Sequence, residues 1–198
     1  MANEMRTFVT IVSDKPEVAT RLQEIFKSRK NNYQVDALDV INNLTGTSYC
    51  YKDEKENFKV DEDFPSNQLW EEFIGSKWMN VEYEHDEMPN CCNLVLSSAW
   101  SVPVNFLSIL RDEIQKIDPK CYIVGTYEDE SFDPCGAFVY GEFDYDDIED
   151  YDEEYDWGNA EEDDFYTENW QEQLIELKNS LEKTYLECLE EKKYDSEN

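Results

Sequence analysis

The chain has 198 residues, with 48 acids against 17 bases and a formal net charge of −31. That length supports a hydrophobic core, and an aromatic content of 14% separates the chain from wholly disordered acidic polymers, which are poor in rings. The charge excludes unaided contact with nucleic acid or an anionic membrane, because the densest basic group is only Lys27, Arg29 and Lys30; it points to basic proteins, nucleic-acid-binding ones among them, or to metal cations.

The first element is RTFVTIV, Arg6 to Val12, apolar on both faces and therefore read as a central strand. SDKPEVATRLQEIFKSRK follows at once. Asp14 and Glu17 have capping-box spacing, Pro16 suits a first helical turn, and Val18, Leu22, Ile25 and Phe26 form one apolar stripe. Residues 31–75 read as a surface insertion, in which QVDALDVINNLTG forms a short strand or a turn of helix. SKWMNVEYEHD and CNLVLSSAW are strands joined by the turn DEMPN into a hairpin. A second helix covers SVPVNFLSILRDEIQKIDP, with Ser101 as its cap, Pro103 near its start, and Phe106, Leu107, Leu110, Ile114 and Ile117 on its buried side. Cys121 to Asp129 and Gly136 to Phe143 are further strands. At the C-terminal end Trp170, Leu174, Leu177, Leu181, Tyr185 and Cys188 recur at helical spacing, which predicts an amphipathic helix over 167–192 packed on the body. Self-association through that stripe is the alternative.

The order β-α-β-β-α-β plus one strand predicts an α+β chain of the ferredoxin-like kind: an antiparallel sheet with two helices on one face. The expected organisation is a ferredoxin-like domain over 1–143, an acidic aromatic segment over 144–166 and the helix over 167–192. Six cysteines are present and none forms a CxxC pair, so no zinc ribbon is expected. The start of the chain lacks the apolar core of a secretion signal, and no apolar run reaches membrane-spanning length. The expected location is the cytoplasm, with reduced thiols.

FIGSKWMNVEYE followed by LVLSSAWSVPVNFLSILRD resembles the paired motifs of the YubB-like family of phage and plasmid proteins. The residues that carry the likeness are Gly75, Ser76, Lys77 and Trp78, then Ser98, Ala99, Trp100 and Pro103, with Gly136 in a later glycine turn. The likeness spans roughly 6–143. The family's Cys- and Asn-containing start to the first strand is missing, and Ile74 stands where it carries a tryptophan. The resemblance implies a ferredoxin-like fold and a mobile-element origin; no enzymatic chemistry comes with it.

Little in the chain suggests catalysis. The single histidine, His85, lies in an acidic turn, and a pair with Cys91 or Cys92 would sit among acids that raise a thiol pKa. Ser97 and Ser98 belong to no Gly-x-Ser-x-Gly elbow, and the six glycines form no phosphate loop. Trp78, Trp100 and Pro103 read as core and helix-start architecture. No catalytic residue, metal site or cofactor is expected.

The feature that stands out is GEFDYDDIEDYDEEYDWGNAEEDDFY, residues 141–166, built from acids and rings with no Lys, Arg or His. It lacks the glycine and the oxygen spacing of a calcium loop. Read as a strand, it puts acids on one face and Phe143, Tyr145, Tyr151, Tyr155 and Trp157 on the other; read as a helix, Tyr145, Ile148, Tyr151 and Tyr155 form a stripe. Either way the rings anchor and the carboxylates project. Alternate strand residues repeat at about 6.6 Å, whereas duplex DNA carries one charge per about 1.7 Å of axis, so further acids are needed to approach that density. The expected contact residues are Glu142, Asp144, Asp146, Asp147, Asp150, Asp152, Glu153, Glu154 and Asp156, supported by Glu161, Glu162, Asp163 and Asp164. The expected function is non-enzymatic: a phage-type inhibitor that mimics nucleic acid and occupies a basic site on a host protein that binds nucleic acid. The alternatives are a solvated acidic connector and an accessory protein that forms homo-oligomers through its last helix.

Overall fold

The computed structural model describes residues 3–26, 34–46, 50–52, 58–60, 73–76, 78–84, 91–130, 135–142, 144–145 and 163–196. Its elements are β1 (Glu4–Val12), α1 (Pro16–Ile25), β2 (Gln34–Asp36), α2 (Ala37–Thr45), β3 (Cys50–Lys52), β4 (Phe58–Val60), β5 (Met79–Glu84), β6 (Cys91–Ala99), α3 (Val104–Gln115), β7 (Tyr122–Asp129), β8 (Cys135–Tyr140), β9 (Asp144–Tyr145) and α4 (Asp163–Ser196). Seven strands form one sheet in the order β2-β5-β6-β1-β7-β8-β9, and β3 and β4 form a separate ladder. Every pairing is antiparallel. The fold is α+β.

One face of the sheet is closed by α1, α2 and α3. Val18, Leu22 and Ile25 from α1, Val40, Ile41 and Leu44 from α2, and Phe106, Leu107, Leu110 and Ile114 from α3 pack on Met5, Val9, Ile11, Leu94, Leu96 and Ile123. Each such side chain contributes roughly 1.5–3 kcal/mol when fully buried. Arg21 of α1 reaches Glu113 of α3 at 2.8 Å and ties the two helices across their exposed edge. The stretch 31–75, expected on the surface, enters this core: Val40 and Ile41 are buried, and β2 adds a strand beside β5. The period of ALDVINNLT concentrates its apolar side chains on one helical face, and that face needs cover.

The other face is closed only in part. Leu181, Tyr185 and Leu189 of α4 pack on Tyr122 and Val124 of β7, Val139 of β8 and Val12. Tyr185 and Tyr122 stack at a tilt with centroids 5.2 Å apart, and the Tyr122 hydroxyl donates to Glu182 at 2.7 Å. Among the described residues, α4 covers β7, β8 and the Val12 end of β1 on this face. β1 is central in the order but not buried on both faces: Met5, Thr7, Val9 and Ile11 point inward, and Phe8 is 41% exposed. The apolar run in β1 therefore overstates its burial.

Two helix starts also depart from their sequence signals. The residue before α1 is Lys15, and no side chain caps it; the Ser13 hydroxyl accepts from the Lys15 N–H at 3.1 Å instead. Ser101 does not cap α3, which starts after Pro103; its hydroxyl donates to the Gly75 carbonyl at 3.3 Å.

Candidate interaction surface

The acidic tract begins where α4 docks. Glu142 is exposed just past β8, and its N–H donates to the Tyr185 hydroxyl at 3.0 Å. Gly141 makes that contact feasible: a Cβ there would lie 1.9 Å from the Tyr185 hydroxyl oxygen. Burial raises the Tyr185 pKa, and the charge of Glu142 adds to the rise, so the hydroxyl stays protonated. Beyond this point Asp144 lies in β9, whose two residues pair with Val139 and Tyr140 at the sheet edge. Asp163 and Asp164 are the first two residues of α4. Asp146, Asp147, Asp150, Asp152, Glu153, Glu154, Asp156, Glu161 and Glu162 lie outside the described residues. The outer side of α4 carries Glu172, Glu176, Glu187, Glu190 and Glu191, all exposed, interleaved with Lys183 and Lys192.

Four cysteines have described side chains: Cys92, Cys121 and Cys135 are buried, Cys188 is half-buried, and none of the four is in a disulfide. Burial first, then the charges of Asp118 and Cys92, pushes the Cys121 thiol up to about 12. A thiol held protonated is a poor nucleophile. Cys92 faces the core with Tyr83 beside it. His85 and the Cys91 side chain lie outside the description. Ser98 donates to the Ser101 carbonyl at 2.7 Å and serves a turn. Among the described residues no group of three or more His, Cys, Asp or Glu side chains is arranged to hold a metal. No helix among them is long and apolar enough to cross a membrane.

The tryptophan corner differs from its sequence reading. Pro103 is buried and precedes α3, and Trp78 is half-buried, as core architecture requires. Trp100 is 49% exposed, with φ at +63° between β6 and α3. The SSAWS run carries a bulky residue where the chain turns from strand to helix, but no residue pattern signals that the turn is left-handed. Comparison with protein-family models, with curated proteins and with solved structures finds no match.

Proposed function

We propose that the chain is a non-enzymatic, phage-type inhibitor whose acidic surface mimics nucleic acid. It blocks a basic nucleic-acid-binding site on a host defence or nucleic-acid-processing protein. In this reading β5-β6-β1-β7, with α1 and α3, form a ferredoxin-like body of the YubB-like kind; β2, β8 and β9 extend its sheet. The observation that carries the proposal is the root of the tract. Glu142 is exposed and is tied through its backbone to Tyr185 on the anchored face of α4. An exposed acid at a fixed place at the start of the acidic run, on a chain of net charge −31, supports electrostatic attraction of a basic partner to this side of the molecule.

The test replaces Asp144, Asp146, Asp150 and Asp152 by Asn and measures retention of basic proteins from a host lysate, with duplex DNA as competitor. Weaker retention, with a shallower dependence on salt, is expected. Equal retention by both chains, undisturbed by DNA, sinks the proposal. One observation favours the accessory reading: Ile175 and Leu186 on α4 are 53% and 41% exposed. A monomer mass by light scattering removes it.

A further inference from the structure

We infer that Trp100 anchors a binding site for a cationic side chain, arginine or lysine, on a basic polypeptide partner. Among the described residues it is the one non-glycine with positive φ. The left-handed region brings Cβ against the backbone, and glycine or asparagine occupies it at far lower cost than an aromatic residue. Strain of this kind persists only where the surroundings over-determine it, and here they do. The Trp100 N–H donates to the Asn3 carbonyl at 3.1 Å, and the Ser101 N–H to the Ala99 carbonyl at 2.9 Å. The Ser76 hydroxyl fixes that same Ala99 carbonyl at 2.7 Å, and the Ser98 hydroxyl fixes the Ser101 carbonyl at 2.7 Å. The peptides on both sides of Trp100 are held.

Burial does not account for the choice of residue, because the side chain remains 49% exposed. The corner therefore presents a half-exposed ring on a held backbone. Its charge selects the occupant. Glu4 pairs across the ladder with Ala99, next to Trp100, and the Glu130 N–H donates to the Glu4 carbonyl at 3.1 Å, so two acid-bearing strand ends meet at this turn. Glu130 is exposed. The face of an indole attracts a guanidinium or ammonium group, and nearby carboxylates add to that attraction. Arg6 lies 3.9 Å from Glu4, a loose ion pair that a tighter-binding partner cation displaces.

The inference shares with the proposed function only the sign of the partner's charge. The test titrates an arginine–glycine repeat peptide, and its citrulline counterpart, into the wild type, Trp100→Gly, Trp100→Phe, Trp100→Leu and the tract variant. Trp100→Gly should keep the fold and bind the arginine peptide roughly tenfold more weakly; Trp100→Phe should lose less than Trp100→Leu. Equal affinity in Trp100→Gly, or equal affinity for the citrulline peptide, overturns the inference. Should the glycine variant not fold, the Phe and Leu variants decide, and equal affinity between them overturns it. Loss of binding only in the tract variant removes the Trp100 anchor and leaves the acidic decoy standing. Loss only in Trp100→Gly does the reverse.

Discussion

Asp118 joins two turns with one carboxylate. The Ser13 hydroxyl donates to it at 2.6 Å and the Lys120 N–H at 3.2 Å, while Lys15 reaches over to the Ile117 carbonyl at 2.7 Å. Burial pushes the Asp118 pKa up, but these hydrogen bonds, the Lys15 charge and a bond from the Asp14 backbone outweigh it and hold the carboxyl below its ordinary value. Its folded pKa is depressed, so its stabilisation is fully present above the unfolded pKa and is lost as pH falls through the folded value. Asp118→Asn should therefore destabilise by about 1–3 kcal/mol near neutral pH, and the difference from wild type should shrink as the solution is acidified below the carboxylate range. Urea unfolding at several pH values measures both, and a gap that stays constant with pH rejects this role. The same site shows why a local sequence signal failed. Asp14 and Glu17 have the spacing of a capping box, but Ser13, one residue earlier, accepts from the Lys15 N–H and donates to a carboxylate more than a hundred positions away. A long-range partner decided the turn, and no local window contains it.

At the scale of elements, periodicity was a good guide to what forms and a poor one to where it goes. The stripe Leu174, Leu177, Leu181, Tyr185 predicts the last helix, and the helix is there, with Leu174 and Tyr185 buried. Its position on the face opposite α1 and α3 was not legible. β7 and β8 bury residues on both sides, and a continuous apolar strand does not say which side meets which helix. The decisive fit is steric. Gly141→Ala puts a methyl group against the Tyr185 ring and should cost about 1–3 kcal/mol by overpacking. Tyr185→Phe, which keeps the ring and loses the bond from the Glu142 N–H, should cost about 1 kcal/mol. Thermal unfolding, with limited proteolysis to report release of α4, ranks the two; a larger loss for Tyr185→Phe contradicts the steric account. The exposed tryptophan is the matching failure at the candidate site. Hydrophobicity assigned Trp100 to the core, because residue type carries no record of a backbone dihedral.

For the whole molecule, charge was legible and its consequence for stability follows directly. With −31 on 198 residues, self-repulsion opposes the compact state. Raising sodium chloride from a few millimolar to about 0.15 M shortens the screening length to about 8 Å and should raise the unfolding midpoint. A midpoint that ignores salt would show that the acids are spaced too widely to repel. The overall class was also legible, since two strand-to-helix steps and a hairpin lead to an antiparallel sheet with helices on it. The edge additions were not. β2 has three residues and β9 has two, too short to carry a period of their own.

The central position of β1 sets a timetable. The strand that comes first in the chain pairs with Cys91–Ala99 on one side and Tyr122–Asp129 on the other. Until both arrive, its two edges are open templates for any passing strand. A sheet built from contacts so distant in sequence closes its loops before it gains from them, which places its folding toward the slow end of the range for small domains. During that wait, mutual repulsion between copies of so acidic a chain keeps unfinished molecules apart, so the same charge that weakens the finished fold protects its assembly.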